Sequence, residues 1–286
     1  MIYERPNTVS EAVEILSKSH EKKSILAGGT DLLVQMRSGY YRPSHIVDIK
    51  NIPEATQIRD DGDTFLVGAG VPGAQLSEHV ELIKAWPGVI EAMDLIGSTQ
   101  IQGRATLGGN LCNASPAADS VPAMIAADAT CIIAGPNGYR EEKIENVVTA
   151  PGVSSIANNE FVVSIRLAKF KTGRADAYLR FIPRTEMDIA VVGAAVCVLI
   201  DKKGICLNAK VSLGAVAPTQ VVIETAPQIL IGTRLDEETL DKLAKAARAS
   251  CNPIDDKRGT IEYRTSVAGV LTKRAAKIAF DRAGGA

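Results

Sequence analysis

The fold of this 286-residue chain is indicated most directly by the stretch Thr106-Leu107-Gly108-Gly109-Asn110-Leu111-Cys112-Asn113-Ala114-Ser115-Pro116-Ala117-Ala118-Asp119. It places two adjacent glycines among small hydroxyl and amide side chains and ends in a carboxylate. Adjacent glycines can adopt a positive φ and turn their N–H groups to one side, which gives donors for an anionic oxygen without a cationic side chain. The stretch therefore predicts a phosphate-binding loop.

A second glycine pair lies upstream in Ala27-Gly28-Gly29-Thr30-Asp31, directly after the apolar residues Ile25 and Leu26. A loop between a strand and a helix start has unpaired N–H groups, and the helix dipole favours an anion there. Either glycine pair alone is more typical of an ordinary turn. Two such loops in one chain instead favour a pyrophosphate.

The segments AGGTDLL at residues 27–33 and ATLGGNLCNASPAADSVPA at residues 105–123 resemble the FAD-binding subunit of the molybdenum-containing hydroxylases. That family includes xanthine dehydrogenase, aerobic carbon monoxide dehydrogenase and the bacterial N-heterocycle dehydrogenases. The resemblance covers nearly the whole chain. It implies an α+β protein, in which a two-part FAD-binding α/β domain of the vanillyl-alcohol-oxidase-like type is followed by a C-terminal antiparallel sheet with helices.

The domain boundary is predicted in the charged, glycine-containing stretch 166–174, which has no hydrophobic periodicity. We expect a FAD-binding domain at 1–172, with subdomains of about 1–55 and 56–172, and a C-terminal α+β domain at 173–286. In the C-terminal part strands come before helices, which indicates an antiparallel sheet with helices on one face.

Local patterns predict individual elements. Thr8 to Glu11 form a capping box that begins a helix ending at about Ser19. Strands are expected at residues 24–27, 45–49, 65–70, 129–134, 161–167, 177–182, 190–201 and 205–217. Helices are expected at residues 31–37, 74–83, 87–96, 237–249 and 263–283.

Residues 68–73, Gly-Ala-Gly-Val-Pro-Gly, match the dinucleotide fingerprint G-x-G-x-x-G. We reject a nicotinamide site, because Pro72 lies inside the loop. The acidic residue about 20 positions further on should also end a strand, whereas Asp94 falls in the helical pattern 87–96. Glycines that surround a strand end are the preferred interpretation.

The composition argues against several classes of partner. The net charge is −1 with both signs scattered, so neither a nucleic-acid-binding face nor an anionic membrane surface is indicated. The longest uncharged apolar stretch, 190–200, is too short to cross a bilayer. Glu4 and Pro6 lie where a signal peptide would be apolar, so we expect a cytoplasmic protein without membrane insertion.

Residues for acid–base or metal chemistry are scarce. The five cysteines are odd in number and include no C-x-x-C, so neither a disulfide framework nor a cysteine metal site is indicated. His20, His45 and His79 have no motif around them, and hydrolase and kinase signatures are missing from the sequence. We assign no catalytic residue and no metal ligand to this chain.

The resemblance implies cofactor-binding residues in both glycine loops. Those of the first loop, whose backbone N–H groups cradle the pyrophosphate, are Ala27, Gly28, Gly29, Thr30 and Asp31. Those of the second loop, which closes on the same phosphates and on the ribityl chain, are Thr106, Gly108, Gly109 and Asn110. Ser115 and Asp119 match positions that hydrogen-bond the sugar-like chain beneath the flavin.

A further segment, Arg184-Thr185-Glu186-Met187-Asp188-Ile189-Ala190, resembles the part of the family that brings an aspartate and the next side chain against the isoalloxazine ring. This resemblance points to Asp188 and Ile189. Some relatives have tyrosine at the second position, so Ile189 would leave the ring face covered by an aliphatic side chain and more open to an acceptor. Ile189 is equally expected as an ordinary strand residue, because β-branched residues favour strands.

The resemblance implies an oxidoreductase subunit that binds FAD itself. Its partners would be a small subunit with [2Fe-2S] clusters and a large subunit with molybdopterin, in a heterotrimer or a dimer of heterotrimers. Electrons would pass from the partner clusters through FAD to NAD, a quinone, a cytochrome or oxygen. The cysteine-rich insertion of the hydroxybenzoyl-CoA reductases has no counterpart in the sequence, so we expect no cluster in this chain.

Two alternative functions remain. A self-contained FAD reductase of the enolpyruvyl reductase type would need a positioned acid near the flavin, and the sequence offers no clear candidate. A flavin-free assembly subunit would have no use for adjacent glycines, whose conformational freedom is costly to restrict.

Overall fold

The computed structural model describes residues 1–18 and 23–285. Its strands are β1 (Ile2–Glu4), β2 (Lys23–Leu26), β3 (His45–Asp48), β4 (Ile58–Asp61), β5 (Thr64–Gly68), β6 (Thr130–Gly135), β7 (Gly138–Lys143), β8 (Val148–Ala150), β9 (Val153–Ser154), β10 (Phe161–Ala168), β11 (Arg174–Phe181), β12 (Val192–Ile200), β13 (Cys206–Gly214) and β14 (Val221–Val222). Its α-helices are α1 (Val9–Ser17), α2 (Leu32–Arg37), α3 (Pro53–Thr56), α4 (Gly73–Leu76), α5 (Val80–Ala85), α6 (Pro87–Asp94), α7 (Thr99–Gln102), α8 (Leu107–Cys112), α9 (Ser120–Ala126), α10 (Ala226–Leu230), α11 (Glu237–Ala249) and α12 (Ile261–Arg282).

The first sheet is parallel, with the strand order β1-β3-β2. Helix α1 follows β1 and is capped by Thr8, whose Oγ1 accepts from the Glu11 N–H at 3.2 Å. The Glu11 carboxylate accepts from the N–H of Asn7, one residue before the position that a capping box requires. The predicted helix end at Ser19, like His20, lies outside the described residues. Strand β2 ends directly before the first glycine pair.

The second sheet is antiparallel, with the order β4-β5-β10-β6-β7. Alternation along its strands separates two faces. One face carries buried apolar residues such as Ile133, Ile165 and Leu167, which share a core with Leu107 of α8 and Met124 of α9. The opposite face carries polar residues that are described below.

The predicted helix at 74–83 is wrong as a single element, because the structure has two short helices, α4 and α5, in its place. The break lies at His79, whose Nδ1 accepts from the N–H of Leu82 at 3.2 Å and so caps α5. The histidine cap ends one helix and begins the next while the apolar residues keep their helical spacing. The periodicity therefore did not reveal the break.

The third sheet is antiparallel, with the order β11-β12-β13-β14. Helices α11 and α12 pack on one face, and α6 and α9 from the earlier part of the chain pack on the other. The core between this sheet and its own helices contains Val196, Leu213, Leu243 and Ala275. The predicted α+β fold, with an antiparallel C-terminal sheet, is confirmed.

Strand β11 joins the third sheet to the rest of the molecule. Its polar residues Asp176, Tyr178 and Arg180 alternate along the strand and bond to groups that precede residue 120.

No helix in the described ranges 1–18 and 23–285 is long and apolar enough to span a membrane. The same ranges contain no group of three or more His, Cys, Asp or Glu residues arranged to hold a metal ion.

Candidate functional site

The two glycine loops are in direct contact, although more than 70 positions separate them in the sequence. A Cβ atom on Gly28 would lie 1.9 Å from the carbonyl oxygen of Arg104 and 3.2 Å from the Cα of Ala105. Only glycine permits this approach of two backbones. A second link comes from Gln35 in α2, whose Nε2 donates to Oδ1 of Asn113 at 3.3 Å. The structure therefore brings the two predicted loops into one site.

The first loop has the geometry that the sequence predicts. Gly29 adopts a φ of +79°, a conformation that side chains disfavour. The backbone N–H groups of Gly28, Gly29 and Thr30 donate to no acceptor among the described residues. Asp31 precedes α2, but its side chain makes no capping hydrogen bond, and desolvation raises the pKa of its carboxyl. The loop thus presents unpaired donors at the end of a strand.

The second motif differs from the prediction. The expectation that Gly108 and Gly109 lie in a loop with positive φ is wrong, because both lie in helix α8. Thr106 caps this helix, with its Oγ1 accepting from the Gly109 N–H at 2.9 Å. A Cβ on Gly108 would come within 2.6 Å of the Cβ of Ala69, so this glycine is required for close packing. The N–H group of Gly108 in the first turn has no acceptor in the described part of the chain, whereas that of Leu107 faces the bridge between Pro72 and Thr106.

Asn110 and Ser115 stabilise the segment that follows α8. Oδ1 of Asn110 accepts from the N–H of Ser120 at 3.1 Å and from its Oγ at 2.7 Å, which ties α8 to α9. Oγ of Ser115 accepts from the N–H of Ala117 at 3.2 Å. The hydroxyl proton of Ser115 and the Nδ2 protons of Asn110 remain as donors.

Asp119 is buried directly before α9 and bonds to strand β11 of the third sheet. Its Oδ1 accepts from the hydroxyl of Tyr178 at 2.9 Å, and its Oδ2 accepts from Arg180 at 3.0 Å. Burial raises the pKa of Asp119 to about 6, although the Arg180 guanidinium opposes that shift. Burial also raises the pKa of Tyr178, so its hydroxyl stays protonated and acts as the donor.

Sequence reasoning missed Tyr178 and Arg180. The available signal was the alternation of Asp176, Tyr178 and Arg180 in β11, which places all three on one face of the strand. The Asp176 carboxylate caps the start of α6 by accepting hydrogen bonds from the N–H groups of Gly88 at 3.0 Å and Val89 at 3.1 Å. A polar row on a strand that is otherwise buried indicates a polar contact with another part of the fold.

Asp188 and Ile189 lie in the loop between β11 and β12. The Asp188 carboxylate accepts from the N–H of Ile189 at 2.8 Å and lies 3.5 Å from Nε of Arg258 and 3.6 Å from Nε of Arg184. The backbone hydrogen bond from Ile189, helped by Arg258 and Arg184, lowers the pKa of Asp188. Ile189 is 53% exposed and precedes β12, so the alternative interpretation as a strand residue is wrong.

A cleft of about 250 Å³ borders the first loop. It is lined by Ala27, Gly28, Lys50, Thr56, Gly70, Pro72, Gln75, Gly103 and Arg104. Nζ of Lys50 donates to the carbonyl of Ala27 at 3.2 Å and to Oδ1 of Asp48 at 2.6 Å. Arg104 is exposed and forms no ion pair within residues 1–18 and 23–285. Two cations therefore stand beside a loop that the sequence predicted to work through N–H groups alone.

The rejected dinucleotide fingerprint also lies at this cleft. A Cβ on Gly68 would lie 2.4 Å from the carbonyl carbon of Ala55, and one on Gly73 would lie 2.7 Å from Cε of Met93. Asp94 ends helix α6, where the sequence predicted a helix. These glycines are accounted for by close packing at a strand end.

The donor set fits a pyrophosphate. Two glycine-containing segments that admit no Cβ meet at one place, their free N–H groups come from a strand end and a helix start, and Lys50 and Arg104 add positive charge. Backbone donors at such positions bind phosphate groups, and the helix dipole favours the negative charge.

Comparison with known proteins gives two family models that follow one another along the chain. The model described as the FAD binding domain in molybdopterin dehydrogenase matches residues 1–169. The model described as the CO dehydrogenase flavoprotein C-terminal domain matches residues 177–279. Between them they account for most of the chain.

Individual relatives resemble the chain over its full length. The carbon monoxide dehydrogenase medium chain of Hydrogenophaga pseudoflava is 33% identical over 281 residues, which cover 98% of this chain and 97% of the relative. The xanthine dehydrogenase FAD-binding subunit of Escherichia coli O157:H7 is 30% identical over 286 residues, covering 99% and 97%. A solved structure of carbon monoxide dehydrogenase from Hydrogenophaga pseudoflava superposes with a TM-score of 0.94 at 33% identity, covering 99% of this chain and 98% of that one.

Proposed function

This chain belongs to the family of FAD-binding subunits of molybdopterin dehydrogenases, and we propose that it binds one FAD where its two glycine-containing segments meet. The observation that carries the proposal is the contact between Gly28 and the carbonyl of Arg104, which allows no side chain on the glycine. Two separate segments with free N–H groups are thereby held in direct contact.

Each end of the site has its own proposed role. The N–H groups of Gly28, Gly29 and Thr30, with that of Gly108, would hold the phosphates. Ala27 and Asp31 frame the first loop, while Thr106 and Gly109 fix the start of α8 through their hydrogen bond. Arg104 would balance the phosphate charge, and Lys50 supports the loop from the carbonyl of Ala27.

The middle of the cofactor would lie against the segment after α8. The free donors of Asn110 and Ser115 suit the hydroxyl groups of a ribityl chain. Both oxygens of Asp119 already accept one hydrogen bond, and each has a second lone pair with which it can accept from a sugar hydroxyl. Asp188 and Ile189 would lie at the isoalloxazine end, where the exposed Ile189 side chain excludes water from one side.

The subunit's activity is that of an oxidoreductase component. FAD held in this site would supply the electron transfer from iron–sulfur clusters of a partner to an external acceptor. The chain's own residues bind and orient the cofactor, and substrate oxidation belongs to the molybdenum centre of another chain. The relatives are medium chains and FAD-binding subunits of larger dehydrogenases.

The assembly that we propose contains two further subunits. A small one would hold [2Fe-2S] clusters and a large one the molybdopterin, in a heterotrimer or a dimer of heterotrimers. We propose the cytoplasm as its location, since all five cysteines of the chain are free thiols.

We also propose the domain division 1–172 and 173–286, with a subdivision near residue 55. It is supported by the sheets, since β10 of the second sheet ends at Ala168 and β11 of the third begins at Arg174. The parallel sheet contains β1 to β3, and β4 begins the antiparallel sheet at Ile58.

The test is to purify the full chain, record its absorption spectrum and identify the released chromophore by chromatography. We expect a yellow protein with one FAD per chain. FMN, or a colourless protein after gentle purification, would contradict the proposal. Purification from the native host should recover the chain together with molybdenum and iron. A monomer with full dehydrogenase turnover and neither metal would instead identify a self-contained reductase.

A further inference from the structure

A second pocket, of about 490 Å³, lies on the polar face of the five-stranded sheet, apart from the glycine loops. It is lined by Glu54, Arg59, Ile132, Tyr139, Arg140, Glu141, Val163, Ser164 and Arg166. Its volume is within the range of small-molecule sites. None of these residues lines the cleft beside the first glycine loop.

Two buried polar groups in this pocket, Oγ of Ser164 and Nε of Arg59, have no hydrogen-bond or ion-pair partner among the described residues, whereas Nε of Arg166 lies 3.3 Å from Oε1 of Glu141. Ser164 is 1% exposed, so its hydroxyl is not hydrated by bulk solvent. Buried donors without an acceptor are rare because each costs free energy. Two such groups at one cavity indicate that the cavity accepts a ligand with several acceptor atoms.

The strand register explains why these donors converge. Arg59 in β4 lies opposite Leu66 in β5, and Leu66 lies opposite Arg166 in β10. Ser164 is two residues from Arg166 along β10 and therefore points to the same face. The hydroxyl forms part of the floor, while the two guanidinium groups approach from different strands.

The charges of the pocket are unequally compensated. Arg140 forms a bidentate pair with Glu160 at 2.9 Å and 2.8 Å. Arg166 pairs with Asp61 at 2.6 Å and with Glu141 at 3.3 Å. Arg59 forms no ion pair within the described part of the chain. One guanidinium group therefore retains an uncompensated charge beside the buried hydroxyl.

We propose that this pocket binds a phosphate group, either as inorganic phosphate or in a monophosphate ester. A planar carboxylate can be satisfied by a single guanidinium fork, whereas free donors on separate strands, Arg59 in β4 and Ser164 in β10, suit a tetrahedral oxyanion. The cavity is larger than one phosphate needs, and the ring of Tyr139, 62% exposed at the edge, offers a surface for an attached organic group. Glu54 and Glu141 in the lining disfavour a ligand with more than one phosphate group.

The test is isothermal titration calorimetry on the full chain, saturated with FAD so that phosphate cannot enter the glycine loops. Inorganic phosphate, AMP and acetate are the probes, at low ionic strength. We expect phosphate or AMP to bind and Arg59→Ala to weaken that binding at least tenfold. Arg274→Ala, which removes an exposed arginine of α12, is the control and should bind like the original chain.

A second variant separates binding from folding. Because Oγ of Ser164 has no partner in the protein, Ser164→Ala should leave the melting temperature unchanged or raise it, yet weaken phosphate binding severalfold. AMP that binds at least tenfold more tightly than phosphate would identify a monophosphate ester as the ligand, and equal affinities would identify free phosphate. Equal binding of acetate and phosphate, or phosphate binding that is unaffected by Arg59→Ala, would overturn the proposal.

Discussion

The hydroxyl of Tyr178 donates a 2.9 Å hydrogen bond to Oδ1 of Asp119. Tyr178 lies in β11 and Asp119 directly precedes α9, so the two residues are 59 positions apart in the chain. Arg180 completes the contact with the second carboxylate oxygen at 3.0 Å. The last residue of the motif that identifies the family therefore depends on strand β11 of the third sheet for both of its hydrogen bonds.

Removing Asp119 should destabilise the protein strongly. The Arg180 side chain is only 3% exposed, so Asp119→Ala leaves a buried charge without its partner. We expect a loss of about 3–5 kcal/mol in the free energy of unfolding, measured by chemical denaturation. The surface variant Asp241→Ala, which removes an exposed partner of Lys273, should change the free energy of unfolding little. If the double variant Asp119→Ala/Arg180→Ala costs as much as the two single changes added together, the pair is not coupled.

Gly28→Ala should weaken FAD binding. Its Cβ would lie 1.9 Å from the Arg104 carbonyl oxygen, so the two segments must separate. We expect the dissociation constant for FAD to rise about tenfold or more, equivalent to about 1.4 kcal/mol, in a fluorescence titration. Gly62→Ala is the control, since a Cβ there meets no atom within 4 Å although φ is +63°. Unchanged FAD affinity in Gly28→Ala would mean that the contact between the loops does not shape the site.

Asp176 should make stability depend on pH. Burial raises the pKa of Asp176 from 3.8 to about 7, so between about pH 4 and 7 the folded chain holds a proton that the unfolded chain has lost. The free energy of unfolding therefore falls as the pH rises through this window, by at most about 1.4 kcal/mol per pH unit for one proton. Above pH 7 this contribution is constant.

The comparison that isolates this effect is Asp176→Asn, followed by urea denaturation from pH 4 to 8. The difference in stability between the original chain and the variant should decline with pH and level off above 7. Asp128→Asn, which changes a carboxylate paired with Lys210 at the surface, provides a control for the loss of charge. A difference that stays constant from pH 4 to 7 would show that Asp176 is ionised throughout.

Asp188→Ala should alter flavin reduction or reoxidation more than it alters FAD retention. Asp188 lies in the β11–β12 loop with Arg184 and Arg258, and its hydrogen bonds and ion pairs do not involve the glycine segments. Stopped-flow kinetics on the assembled enzyme, beside measurement of bound FAD per chain, would separate the two effects. Loss of flavin with normal kinetics in the remaining holoprotein would contradict the position we propose for Asp188.

Much of the fold could be predicted from the sequence because apolar periodicity is a local signal. Helix α11 has the predicted bounds 237–249, and the long strands β10, β12 and β13 lie within two or three residues of their predicted ends. Strands such as β1 and β7 were not predicted. β1 has three residues and β7 reads Gly-Tyr-Arg-Glu-Glu-Lys, so neither carries an apolar pattern. β1 is a strand because it pairs with the distant β3, and β7 because it forms a hairpin with β6.

The site was predictable in its parts but not in its assembly. Gly29 has the positive φ that its sequence context indicates, while Gly108 is explained by its contact with Ala69, which no local pattern contains. Arg104 directly precedes the second motif, yet its position beside Gly28 follows only from the fold. Sequence spacing identifies residues that share an element, and contacts between elements require the packed structure.

The bond between Asp119 and Arg180 also has a consequence for synthesis of the chain. Arg180 leaves the ribosome 61 residues after Asp119, which takes roughly 3 to 12 s at rates of 5–20 residues per second. During that interval the nascent chain already contains both glycine segments, but Asp119 has no counter-ion. The motif at residues 106–119 is therefore translated early and reaches its final structure late, only after β11 has emerged.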